Sequence, residues 1–70
     1  MPARHHIGDL DEIDRRILRE LQRDGRISNQ TLSERVNLSP TPCLARVRRL
    51  ERDGFITGYA AFVDPKKLDA

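Results

Sequence analysis

The chain has 70 residues, room for one small domain, and its three aromatic residues, Phe55, Tyr59 and Phe62, leave a core to be built from Leu, Ile and Val. Its single cysteine, Cys43, excludes an internal disulfide; no Cys/His set has metal-ligand spacing, and no apolar run can span a bilayer. The net charge of +2, without a signal-peptide pattern, fits a soluble cytoplasmic protein that has no membrane partner and no cofactor of its own.

Residues 1–8, which include His5 and His6, show no periodicity and read as a flexible arm. The run LDEIDRRILRELQRDG then places Ile13, Ile17, Leu18 and Leu21 on one helical face. Asp11 is a fitting N-cap, Gly25 a fitting C′ residue, and acids gather in the first turn, where the helix dipole favours them. A first helix is predicted over about 11–24.

In RISNQTLSERVNLS, Ser28 takes the N-cap position, and Ile27 and Leu32 have the spacing of a hydrophobic staple. A second, short helix is predicted over about 29–36, ending at Asn37, which tolerates the left-handed conformation.

The segment SPTPCLARVRRLERDG has two prolines and four arginines. With Ser39 as N-cap, Pro40 falls at N1 and Pro42 at N3, where helical N–H groups have no intrahelical partner. The prolines therefore start a third helix, about 40–53, and Gly54 closes it. Leu38 and Cys43 repeat the staple spacing. Cys43, Val47 and Leu50 share a face that should be buried, so Cys43 reads as a small core residue. Thr41, Ala45, Arg48, Arg49 and Arg52 lie on the other side. The stretch from Ser39 to Asp53 carries four arginines against two acids, and 11 of the chain's 13 cationic residues are arginine. Arginine suits phosphates and guanine edges, but it also makes ordinary surface ion pairs.

After Gly54, FITGYAAFV is rich in β-formers and lacks a helical stripe, which predicts one or two short strands. A turn is expected at Asp64-Pro65. The fold class is thus mainly α: three helices in a winged helix-turn-helix, with short β-strands at the C-terminal end. The domain is expected over 9–63, the helix-turn-helix over about 29–48, and the start of a hinge over 64–70.

In a helix-turn-helix the second helix enters the DNA major groove and its first residues touch base edges. Ser39, Thr41, Pro42 and Ala45 are small enough for close approach, and they offer hydroxyls and apolar contacts. Arg48, Arg49 and Arg52 can neutralise phosphates. Ser39 is divided between capping and reading. Arg46 could clamp a phosphate, or it could bridge to an acid and hold the third helix. The rival reading is a protein-interaction module that offers FITGYAAFV as a sheet edge. An enzyme is disfavoured, because no acid/base pair accompanies a nucleophile and no glycine loop could cradle phosphate.

The run LDEIDRRILRELQRDGRISNQTLSERVNLSPTPCLARVRRLERDGFITGYAA resembles the DNA-binding domain of the Lrp/AsnC family of transcriptional regulators, over about residues 9–69. LSPTPCLARVRRLERDGFI is its most specific part. The resemblance implies double-stranded DNA as partner, degenerate sites and a nucleoid-associated regulator. It also implies a separate C-terminal domain that binds an amino-acid effector such as leucine and carries the dimer and octamer contacts. On that reading the chain is a fragment, monomeric or weakly dimeric, of a homodimer or higher oligomer. The family often has glycine where Asn37 stands, and Asn is an acceptable turn residue there.

Overall fold

The computed structural model describes residues 9–69. The arm expected over 1–8 lies outside them, apart from its junction at Asp9. Four helices follow in order: α1 Glu12–Arg23, α2 Asn29–Arg35, α3 Pro40–Arg52 and α4 Pro65–Leu68.

Each of the first three helices starts for a local reason. Asp11 caps α1 in a reciprocal box: its side chain accepts from the Asp14 N–H at 2.8 Å, and the Asp14 carboxylate accepts from the Asp11 N–H at 3.3 Å. Ser28 caps α2 by accepting from the Thr31 N–H at 3.1 Å. Ser39 occupies the N-cap of α3 with extended backbone, yet its side chain makes no capping bond. The N3 residue is Pro42, which has no N–H to offer. The Ser39 hydroxyl is thereby left available. Ser39→Ala is accordingly expected to leave the melting temperature within about 1–2 °C of the parent. Ser28→Ala should cost about 1 kcal/mol. A loss of stability in Ser39→Ala equal to that in Ser28→Ala, measured by thermal circular dichroism, would contradict this account.

The ends are equally specific. Asn37 adopts φ 59° after α2. The Leu38 N–H then donates to Ser33 O at 2.9 Å and the Asn37 N–H to Glu34 O at 3.3 Å, the paired bonds of a Schellman turn. This turn fixes the angle between α2 and α3. Gly54 closes α3 at φ 85°. Gly25 does not play the expected C′ part, since Asp24 ends α1 in an extended conformation and Gly25 is not left-handed.

Leu10, Ile17, Leu32, Val36, Cys43, Val47 and Leu50 form the core, flanked by half-buried Ile13, Leu18, Leu21, Ile27, Leu38, Phe55 and Ile56. α3 is the hub and packs on both α1 and α2. Polar ties reinforce the frame. Arg35 pairs with Glu20 at 2.9 Å, and Arg16 donates to the Arg35 carbonyl at 3.0 Å near the end of α2. The Arg35 hydrogen bond, reinforced by the charges of Arg23, Arg35 and Arg16, lowers the Glu20 pKa despite desolvation.

Two expectations after Gly54 are corrected. The predicted strands are absent among the described residues: 55–64 forms neither helix nor ladder. A strand needs a neighbour to accept its backbone bonds, and this run meets no second extended segment within the chain. It is anchored at its start, where the Ile56 N–H donates to Leu50 O at 3.1 Å. Further along, the Tyr59 hydroxyl donates to Glu51 at 2.8 Å. Desolvation, with the Glu51 carboxylate beside it, pushes the Tyr59 pKa up to about 12. The turn expected at Asp64-Pro65 is instead the start of α4, with Asp64 as N-cap and Pro65 in the first turn.

Candidate nucleic-acid interface

α3 divides its residues by direction. Cys43, Val47 and Leu50 are buried, and burial pushes the Cys43 thiol pKa up, as befits a core residue. Advancing about 100° per residue, Thr41, Ala45, Arg48 and Arg52 project opposite that buried face. All four are exposed, as are Ser39 and Pro42 at the helix start. The residues expected to approach bases therefore lie together at one end of an open helix face. Asn29 of α2 fixes that end by donating from Nδ2 to the Pro40 carbonyl at 2.8 Å.

The arginines of α3 separate into two pairs. Arg48 makes no side-chain ion pair among the described residues, and Arg52 has only a loose 3.6 Å approach to its neighbour Asp53. Arg46 and Arg49 turn instead toward the start of α1. Arg46 Nη1 donates to Asp11 Oδ2 at 2.6 Å and to Asp14 Oδ1 at 3.0 Å, while Arg49 Nη2 donates to Asp14 Oδ2. The sequence left Arg46 open between a phosphate and an acid; the structure places it on two acids. It moves Arg49 the same way, from the outer face to the α1 side. Sequence reasoning missed Asp14 as a partner of both. The signal was its position on the apolar side of α1, where a carboxylate needs cationic partners.

The pKa directions follow these contacts. The Arg46 hydrogen bond, then the Asp14 backbone, hold the Asp11 carboxyl below its ordinary value of 3.8. The Asp11 bond raises Arg46, and the Asp14 bond raises Arg49. A depressed acid contributes stability that is complete above its unfolded pKa and is lost as pH falls through its folded pKa. The urea midpoint should thus be flat near neutrality and fall below about pH 4, modestly, because Asp11 is 53% exposed and solvent screens the pair. Asp11→Asn should flatten that fall. A parent midpoint unchanged down to pH 3 would contradict it.

Asp9, Asp11, Asp14, Ala45, Arg46 and Arg49 line a shallow open cleft where α1 meets α3. The charge cluster therefore borders Ala45, in the middle of the exposed face. No group of side chains that could hold a metal ion occurs among the described residues, and none of their helices is long and apolar enough to cross a membrane.

A sequence model described as winged helix-turn-helix DNA-binding matches residues 10–57, which include α1, the turn and all of α3. The chain belongs to the winged helix-turn-helix DNA-binding family. Within it, the likeness is to Lrp/AsnC regulators. The leucine-responsive regulatory protein of Escherichia coli K12 is 73% identical over 62 residues, 89% of this chain and 38% of that protein. The same protein from Klebsiella pneumoniae matches equally. The chain thus spans about 38% of the length of these curated relatives. Among solved structures, a Neisseria meningitidis transcriptional regulator in complex with L-methionine superposes with a TM-score of 0.81 at 49% identity, over 84% of this chain and 38% of that one. The Mycobacterium tuberculosis leucine response regulatory protein gives 0.76 at 44%, over 84% and 40%. These relatives are regulators and not enzymes. The fold and the family together make this winged helix-turn-helix a DNA-binding domain of the kind that Lrp/AsnC transcriptional regulators carry.

Proposed function

We propose that α3 is the recognition helix of an amino-acid-responsive transcriptional regulator of bacterial type, binding degenerate double-stranded sites. The observation that carries this reading is the exposed face of Thr41, Ala45, Arg48 and Arg52, which begins with small residues and ends with cations. Ser39, Thr41, Pro42 and Ala45 approach base edges, with thymine methyls meeting Ala45, Pro42 and the Thr41 methyl. Arg48 and Arg52 bind phosphates. Arg46 and Arg49 hold α3 against α1 and stand at the edge of the interface. No long amide side chain lies at the helix start to read adenine, so selectivity is loose and leans on DNA shape and on assembly.

Two copies would occupy the halves of a near-palindromic site in the cytoplasm, on the nucleoid. The exposed Tyr59, Phe62 and Val63 supply apolar surface for that association. Amino-acid effector binding belongs to a separate domain of the regulator. The 70-residue chain alone binds DNA weakly, because a single module lacks the avidity of a linked pair.

Fluorescence anisotropy with a short duplex at several salt concentrations tests the reading. Arg48→Ala should weaken binding several-fold on every sequence and make the slope of log K against log salt shallower by about 0.9. An unchanged slope would remove Arg48 from the phosphate contacts.

A further inference from the structure

We infer that Asp14 is a specificity-setting residue: it sequesters Arg46 and Arg49 from the DNA backbone and so holds down affinity for DNA of any sequence. The inference rests on the DNA-binding reading of α3 and deepens it. Its basis is the geometry of one carboxylate.

Asp14 is 1% exposed and is the only buried carboxylate among the described residues. Closing the α1 capping box needs one acceptor oxygen for the Asp11 N–H. Asp14 does this and also takes a guanidinium on each of its two oxygens. The guanidinium side chains are not themselves deeply buried, at 29% exposed for Arg46 and 35% for Arg49. Both line the cleft that Ala45 borders, at the flank of the proposed recognition face. A phosphate passing that flank would therefore meet guanidinium groups already paired with Asp11 and Asp14.

The consequence is electrostatic. Each phosphate neutralised by a cation adds about 0.9 to the salt slope of log K, whatever the base sequence. α3 carries four arginines, and its two held ones are balanced by two acids. The helix therefore presents the sequence-independent attraction of Arg48 and Arg52 alone. Base contacts from Thr41, Pro42 and Ala45 then make up a larger share of the whole, which favours discrimination. Asp14 is a positioning residue in this sense, since it touches no DNA and acts through the two arginines.

Asp14→Asn tests this directly. Asn is isosteric and keeps an oxygen for the Asp11 N–H, so α1 stays capped. Its charge is gone, and the partly exposed arginines can turn to solvent or phosphate. The readout is anisotropy with the 70-residue chain, on a poly(dA)·poly(dT)-type duplex and a mixed-sequence duplex, from 20 to 200 mM salt. The expected result is a salt slope steeper by about 0.9 to 1.8, one contact or two, with tighter binding at low salt and a smaller ratio between duplexes. An unchanged or shallower slope, or equal weakening on both duplexes, overturns the inference, because a merely structural role gives that outcome. If Asp14→Asn does not fold, Arg49→Met and Arg46→Met in the parent decide. Sequestered arginines leave the slope unchanged on removal, whereas a slope shallower by about 0.9 in either variant overturns the proposal. Failure of the parent to bind either duplex, or its indifference to Arg48→Ala, would count against the recognition-helix reading instead.

Discussion

Leu50→Ala is expected to leave the domain largely unfolded at 25 °C. Leu50 is 0% exposed and lies on α3, the helix that packs on both others. Its carbonyl also accepts the Ile56 N–H that anchors the following segment. Truncating a buried leucine costs about 2–5 kcal/mol, the lost transfer energy plus the cavity left behind. A domain this small has only about 3–5 kcal/mol from its core. The two quantities are comparable, so the loss consumes most of the stability. Leu68→Ala provides the contrast, since Leu68 is 71% exposed and should cost little. Circular dichroism at 222 nm with a urea titration checks both. A cooperative transition in Leu50→Ala with a midpoint close to the parent would mean that α3 is not the hub of the core.

Ala45→Glu is expected to reduce DNA affinity by about 100-fold while leaving the fold intact. Ala45 is exposed in the middle of the proposed recognition face. Glutamate is a good helix former, so the helix should tolerate it. On DNA, a carboxylate at that position meets a groove flanked by phosphates, and opposed like charges cost several kcal/mol. Each tenfold in affinity corresponds to about 1.4 kcal/mol, which gives the expected factor. Ala45→Ser, of similar size and without charge, should stay within a few-fold of the parent. Matching anisotropy and thermal melts separate binding from folding. Parent-like affinity in Ala45→Glu would place DNA on another face.

The helices were legible because their starts and stops are written in single residues. Asp11, Ser28 and Ser39 mark N-termini, Asn37 and Gly54 mark left-handed exits, and each lies where the structure uses it. Pro40 and Pro42 were legible for the same reason, because a proline in the first helical turn removes no intrahelical bond. The same grammar recurs at Asp64-Pro65 and starts α4, but only four residues follow and the helical period has no length in which to show. The strands were misread because β-propensity reports suitability for a sheet and says nothing about a pairing partner. Within the site, Arg46 and Arg49 show the limit most clearly. Their helical phase places them on the flank of α3, but their partners lie 32 and 35 residues away at Asp14. A contact between helices depends on how those helices cross, and periodicity within one helix does not carry that. Ser39 is the reverse case: its missing capping bond follows from Pro42 and could have been deduced from sequence alone.

The most direct test of the central claim is nitrogen-15 shift mapping of the 70-residue chain titrated with a short AT-rich duplex, at low and at moderate salt. The account predicts that the largest shifts fall at Ser39, Thr41, Ala45, Arg48 and Arg52, that the α1 amides around Ile17 stay still, and that the response weakens steeply with salt. Shifts confined to residues 55–69, with α3 unmoved at low salt, would contradict it and assign recognition to the C-terminal segment.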